Sequence, residues 1–218
     1  MPVRKIPRNH MCVTGSFATT KADRSAPFES LLERDYMLLL EFDPSVASIE
    51  EQPVRIPVPG VANGYVPDVL VHYHPATPGA AAPVHLVEVK HTSDLAKNGD
   101  KYGPKFEAAR RYAAQRNWQF VVITEQEIRT QRLNNLAYLR AFRRNPVPVD
   151  HAAVFQSCMH ADKEMTLSEL LAQAHQSSGI EVPILTNAAW TLIAHQRIKA
   201  DLDSPLGMAT KVTTGDQA

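Results

Sequence analysis

Two stretches of the sequence carry groups able to act on a phosphate. Asp68 follows Pro67 within an apolar stretch rich in Val and Tyr, and twenty residues later Leu86-Val87-Glu88-Val89-Lys90 sets a carboxylate and an ammonium two positions apart. In an extended strand, residues i and i+2 project to the same face. Glu88 and Lys90 therefore point together, and a neighbouring strand can place Asp68 beside them. Carboxylate oxygens are hard donors, and few of them in one place suit Mg²⁺, which keeps several waters and binds phosphate oxygens. Such an ion offsets charge on phosphorus and lowers the pKa of a bound water. Lys90 can hold that water or neutralise developing charge. This is the equipment of phosphodiester hydrolysis. A Glu-x-Lys pair is also a common strand salt bridge, and Asp after Pro a common turn residue, so a third group has to decide.

Glu29 and Glu33 are the candidates. Four residues apart, they share a face of a helix expected over 26–41. Ser25 caps that helix, Pro27 lies in its first turn, and Asp43-Pro44 stops it. Glu29 falls in the first turn, where the helix dipole alone explains an acid. Glu33 lies a turn deeper beside Leu31 and Leu32, where an acid asks for a partner. Glu33 is the preferred third acid.

Other elements must hold these groups in place. Val46 to Val58 reads as short extended segments broken at Pro53 and Pro57, and Tyr65–Tyr73 and Val84–Lys90 as two strands joined through a Pro/Ala/Gly-rich loop. An amphipathic helix is expected over 102–116, a buried strand over 120–124 and a helix over about 132–143. The sum is a small mixed α/β sandwich. The prolines of Asn145-Pro146-Val147-Pro148-Val149 mark a linker. Beyond it, Thr166-Leu167-Ser168-Glu169 starts a helix over 167–176. A helix over 183–195 and an extended pair follow, which sketches a helix-turn-helix or a winged helix. The organisation is a basic arm at 1–24, a catalytic domain at 25–145, a winged-helix-like domain at 151–208 and a flexible tail at 209–218.

The 23 basic and 23 acidic side chains balance, which excludes a uniformly basic packaging protein and a charged disordered tail. The balance is local, however. Residues 129–144 hold Arg129, Arg132, Arg140, Arg143 and Arg144 without an acid, while residues 151–218 hold four basic against seven acidic side chains. No apolar run is long enough to span a membrane, the N-terminus does not read as a signal peptide, and Cys12 and Cys158 form no disulfide or metal pattern, which suits the cytoplasm. His72, His74, His85 and His91 lack tetrahedral zinc spacing. Trp118 and Trp190 read as core. No phosphate-binding glycine loop is present, so the chain is not expected to use ATP.

The segments Phe28-Glu29-Ser30-Leu31-Leu32-Glu33-Arg34-Asp35, Leu38 to Val46, Glu51-Gln52-Pro53, Tyr65-Val66-Pro67-Asp68 and Leu86-Val87-Glu88-Val89-Lys90, in this order and spacing, resemble the TnsA endonuclease family of heteromeric bacterial transposases over about residues 13–140. The resemblance implies a restriction-endonuclease-like PD-(D/E)xK core with a winged-helix-like C-terminal domain. It assigns catalysis to Glu33, Asp68, Glu88 and Lys90. The metal (Mg²⁺, with Mn²⁺ an alternative) falls to Asp68, Glu88, Glu33 and the Val89 main-chain carbonyl, with Gln52 nearby. The implied activity is cleavage of the 5′ strand at each transposon end, beside an RNase H-like transposase (TnsB) and an ATP-dependent regulator (TnsC), in the nucleoid. Arg4, Lys5, Arg8, Lys21, Arg24, Lys105 and Arg110 are the expected contacts to double-stranded DNA, positioning without reading sequence. A stand-alone nuclease of the same superfamily and a non-catalytic DNA-binding scaffold are the rival readings.

Overall fold

The computed structural model describes residues 13–159 and 163–215. These divide into two units, one ending at Arg129 and one starting at Thr130. The division thus falls ahead of the Pro-rich segment at 145–149 where a linker is expected.

The first unit begins with a short antiparallel pair, β1 (Gly15–Phe17) and β2 (Ala26–Phe28). Helix α1 spans Leu31–Phe42. The expected start at residue 26 is therefore five residues too early: Ala26 and Phe28 are buried in a strand, and Ser30, not Ser25, is the N-cap, its hydroxyl accepting from the Glu33 N–H at 3.1 Å. Then follow β3 (Val46–Glu51), the hairpin β4 (Ile56–Val58) and β5 (Val61–Tyr65), β6 (Val69–Tyr73), β7 (Val84–Val89), α2 (Thr92–Ala114), β8 (Gln119–Ile123) and the single turn α3 (Glu125–Ile128). The expected strand Tyr65–Tyr73 is two strands, because Pro67 has no N–H to give a ladder. Helix α2 starts ten residues before the expected 102 and bends at Asn98, whose φ/ψ of −121°/23° is not helical.

The main sheet runs β3-β6-β7-β8, antiparallel except for the parallel β7–β8 pair. Helix α2 connects those two strands, as a parallel crossover requires. Side-chain alternation sorts the sheet: Leu70 and Leu86 pack with Phe106, Ala109 and Ala113 of α2 and with Ile56, Val58 and Tyr65 of the hairpin. Val69, Val71, Val87 and Val89 take the other face and are also buried. Valine-rich strands covered on both faces read as continuous apolar runs, which is why they were legible. The hairpin depends on Gly64, at φ +62°: a Cβ there would lie 2.6 Å from the Ile56 carbonyl oxygen.

In the second unit α4 (Gln131–Leu139), a 3₁₀ turn (Phe142–Arg144) and α5 (Val149–Cys158) precede β9 (Met165–Thr166), α6 (Leu167–Ser178), α7 (Val182–Ala194), β10 (Ile198–Ala200) and β11 (Lys211–Thr214). The strands form one antiparallel sheet, β10-β11-β9. The two helices and the strand that follows them stand where the sequence sketched them, whereas α5 and β9, which precede them, were not foreseen. Two expectations change. Helix α4, expected in the catalytic domain, belongs here: Leu133, Leu136 and Leu139 are buried, and the Asn135 amide donates to the Leu202 and Ser204 carbonyls at 2.8 and 2.7 Å. The expected tail at 209–218 contains β11, because Val212 is 1% exposed and pairs with both Ala200 and Met165. The capping box at Thr166 is formed as expected, Glu169 accepting from the Thr166 N–H at 2.8 Å.

Candidate active site

The ladder between β6 and β7 sets the geometry of the site. Val69 pairs with Val87, and one residue further the Asp68 N–H donates to the Val87 carbonyl at 3.1 Å. Asp68 thus lies beside the C-terminal end of β7. Its Oδ2 accepts the Val89 N–H at 2.8 Å, which locks the carboxylate across the strand ends. Glu88 and Lys90 project together, as period two demands, and their side chains meet at 2.7 Å. Lys90 keeps its main-chain N–H on the Ile123 carbonyl of β8 at 3.0 Å, so the lysine is anchored at both ends.

The Lys90 ammonium is the centre of the cluster. Glu88 Oε1 at 2.7 Å, the Val89 carbonyl at 3.1 Å and Asp68 Oδ2 at 3.6 Å all surround it. Three oxygens that converge on one cation fit a hard divalent ion by donor chemistry. They are two side-chain carboxylates and a carbonyl, not three side chains: among the described residues no group of three His, Cys, Asp or Glu is arranged to hold a metal.

Burial governs the charges. It raises Glu88 from the ordinary glutamate value to about 7, with Asp68 pushing the same way. Burial likewise raises Asp68, against the pull of Lys90. Burial alone would lower Lys90, but Asp68 and Glu88 outweigh it and hold the lysine above its usual range. Lys90 is therefore an ammonium near neutral pH, suited to stabilising charge rather than to taking a proton. Tyr65, at the end of β5, donates its hydroxyl to Glu88 Oε2 at 2.6 Å, and burial followed by the Glu88 charge raises its pKa, which keeps that proton in place. Sequence reasoning passed over Tyr65, because its partner Glu88 lies 23 residues away on another strand.

Glu33 stands apart from this cluster. Its Oε2 accepts the Glu29 N–H at 2.8 Å and its Oε1 the Ser30 hydroxyl at 2.9 Å, so both oxygens close the N-terminus of α1. The role expected of Glu29, an acid explained by the first turn, belongs to Glu33. Ser30-Leu31-Leu32-Glu33 has the same Ser/Thr-x-x-Glu spacing as Thr166–Glu169, and this signal could have placed the cap. Glu33 still senses the site: burial raises it to about 7, with Asp68 adding to the shift.

A groove of about 1340 Å³ opens over the cluster. Glu29, Asp68, Glu88 and Lys90 lie along it with the β4–β5 hairpin, whose Arg55 donates to the Asn63 carbonyl. Lys101, Tyr102 and Lys105 of α2 form another part of its lining. Tyr102 is fixed by its hydroxyl on Asp94 at 2.6 Å and by stacking on Phe106. Of the expected DNA contacts, Lys105 lines the groove, whereas Arg110 sits outside its lining, 3.7 Å from Glu107. Lys21 donates to the Asp43 carbonyl and, at 2.7 Å, to that of Val46, so it ties the end of α1 to β3. Arg24 pairs with the buried Glu51 at 3.0 Å. Arg4, Lys5 and Arg8 lie outside the described residues. Lys101 was missed, although its four-residue spacing from Lys105 marks one helix face.

The histidines do not converge: His72 pairs with Glu50 at 2.9 Å, His85 packs edge-on against Tyr73, and His91 lies 3.4 Å from Glu125.

A mixed sheet flanked by helices, with a carboxylate pair and a lysine at adjoining strand ends, defines a restriction-endonuclease-like core. The family model described as TnsA-like endonuclease N terminal matches residues 43–125, and the one described as TnsA endonuclease C terminal matches residues 127–202. The chain belongs to the TnsA endonuclease family and is a transposase nuclease. No curated protein matches it. Among the described residues no helix is long and apolar enough to cross a membrane.

Proposed function

We propose that the protein hydrolyses the 5′ strands at the ends of a transposon with Mg²⁺ or Mn²⁺, beside a transposase of the TnsB type and an ATP-dependent regulator of the TnsC type. The observation that carries this reading is the convergence of Asp68, Glu88 and the Val89 carbonyl on one cationic centre at the adjoining ends of β6 and β7. Those three groups would hold the ion. When bound, it supplies charge neutralisation at phosphorus and a water of lowered pKa.

The chain's own residues do the rest. Val89 N–H and Tyr65 hydroxyl fix the two carboxylates. Lys101 and Lys105, from α2, attract the phosphate backbone into the groove. Lys90, held protonated, faces the phosphoryl oxygens as their charge grows. Glu33 contributes its charge from the end of α1. A water oxygen bonds to phosphorus, the bond from phosphorus to O3′ breaks, and O3′ leaves with a proton. The products are a 3′-hydroxyl and a 5′-phosphate.

The test is reconstitution. The full chain is mixed with a transposase of the TnsB type, an ATPase of the TnsC type, donor DNA and Mg²⁺, and strand breaks at the donor ends are mapped for wild type and Asp68→Ala. A 5′-strand cut lost in the variant, with 3′ cuts retained, supports the reading. Unchanged breaks in both would leave a DNA-binding or assembly role. Glu33→Gln preserves the cap, because a Gln serves the same position, and removes only the charge; reduced cutting supports its role.

A further inference from the structure

Gln52 carries two features that stability does not explain. Its backbone is left-handed, with φ at 44°, although it is not glycine. It is 7% exposed, and its side-chain oxygen Oε1 is buried without a hydrogen-bond partner. The amide nitrogen donates to Glu29 Oε1 at 2.9 Å. A carboxylate only accepts, so the NH₂ must face Glu29, and this fixes which end of the amide is left unsatisfied. A left-handed non-glycine residue and an orphaned buried acceptor both raise the energy of the folded state, and such strain gathers at functional sites.

What the residue does accomplish is to join two acids. Its main-chain N–H donates to the Asp68 carbonyl at 2.8 Å, and its side chain holds the Glu29 carboxylate. Glu29 lines the groove with Asp68, Glu88 and Lys90, and its charge is among those that raise the proton affinity of Asp68. Glu33 does not line that groove; its oxygens are in the cap.

We propose that Gln52 is a positioning residue that sets Glu29 against Asp68, so that the groove presents both acids to a hydrated divalent cation. Glu29 then acts on the ion through its water shell, since no three acids among the described residues are arranged to ligate it directly, and Gln52 acts through Glu29 and through the Asp68 main chain. This rests on the divalent-cation reading above. The strain at Gln52 is retained because the left-handed turn is what lets one residue reach both acids.

The test is uptake of Mn²⁺ by the full chain, with and without a DNA duplex, followed by the loss of the free-ion electron paramagnetic resonance signal. The variants are Glu29→Gln, Gln52→Asn, their combination, and Asp68→Asn. Asn tolerates the left-handed backbone but is one methylene short of Glu29. Gln52→Asn is therefore expected to keep or raise the thermal midpoint while weakening Mn²⁺ binding about tenfold, the scale seen when the partner of a metal ligand is removed. Glu29→Gln is expected to weaken it similarly, and the double variant no more than either single, because the two act as one unit. Mn²⁺ affinity within about twofold of wild type in both single variants, while Asp68→Asn loses it, overturns the proposal and leaves the cation reading intact. Loss of affinity in Gln52→Asn only in step with loss of thermal stability also overturns it, since that is what a purely structural residue does. Equal uptake by wild type and Asp68→Asn, or none by either, overturns the cation reading and the proposal with it.

Discussion

The two units treat buried polarity in opposite ways. In the first, the described buried polar residues are Asp35, Glu41, Glu51, Gln52 and Glu88; in the second they are Asn135, Thr191 and Thr210, none of them charged. Three of the first unit's acids are answered by neighbours. Asp35 lies between Arg34 and Arg129, Glu41 accepts from the Thr19 and Thr20 hydroxyls, and Glu51 takes Arg24. Glu88 has both Lys90 and Tyr65 and is still pushed to about 7. Burying a charge costs more than pairing returns unless the geometry is excellent. A carboxyl that stays shifted despite two partners is what the proposed catalytic role of Glu88 would use. The second unit carries no such burden, and its core of Leu167, Leu170, Leu185, Leu192 and Phe155 is apolar.

The sharpest way to break this contrast is to remove the charges. Asp68→Asn and Lys90→Ala are each expected to lower strand cleavage by about 10²–10³-fold, the scale of one preorganised electrostatic group, while thermal unfolding shows a folded chain. Cleavage near wild type would make the cluster a structural ion pair. In the second unit the equivalent insult is a cavity. Leu185→Ala, at a site 0% exposed, is expected to cost about 2–5 kcal/mol in denaturant unfolding of that unit. A cost below about 1 kcal/mol would show that the apolar core does not hold it.

The third prediction concerns pH. Glu33 and Glu88 hold their protons to about pH 7 when folded, against an ordinary 4.5. Below about pH 4.5 each is protonated in both states. Between there and 7 the unfolded chain gives up the proton and the folded chain keeps it, so stability falls as pH rises through that window. Thermal midpoints of the metal-free protein should decline from pH 5 to 8, and Glu88→Gln should flatten the decline. An unaltered slope in that variant would move the effect elsewhere. The smallest effect is at the groove wall. Replacing Lys101 or Lys105 with Ala should leave folding unchanged and reduce the salt slope of DNA binding by about 0.9 for each phosphate no longer neutralised; an unchanged slope removes α2 from the interface.

Much of the first unit was legible because its information is local. Valine runs named the central strands, and period two put Glu88 and Lys90 on one side. The proline that made Asp68 conspicuous also broke the strand it was assigned to, which period alone does not show. Glu33 takes the capping place expected of Glu29 because α1 starts at Leu31, after residues 26–28 pair with 15–17, an interaction between segments that no helical pattern encodes. Lys21 was read from its charge, and its carbonyl partners lie more than twenty residues away.

By itself the sequence determined which residues could do chemistry, because residue type and spacing along a strand fix donor chemistry and side-chain direction. It also determined the capping box of α6, since that motif closes within four residues. The tertiary structure alone decided the rest: that Tyr65 holds Glu88, that Gln52 spans Glu29 and Asp68, that β11 completes a sheet rather than trailing off, and that Lys101 lines the groove. Each of these depends on segments distant in the chain meeting in register, where backbone pairing and burial, rather than local preference, set the outcome.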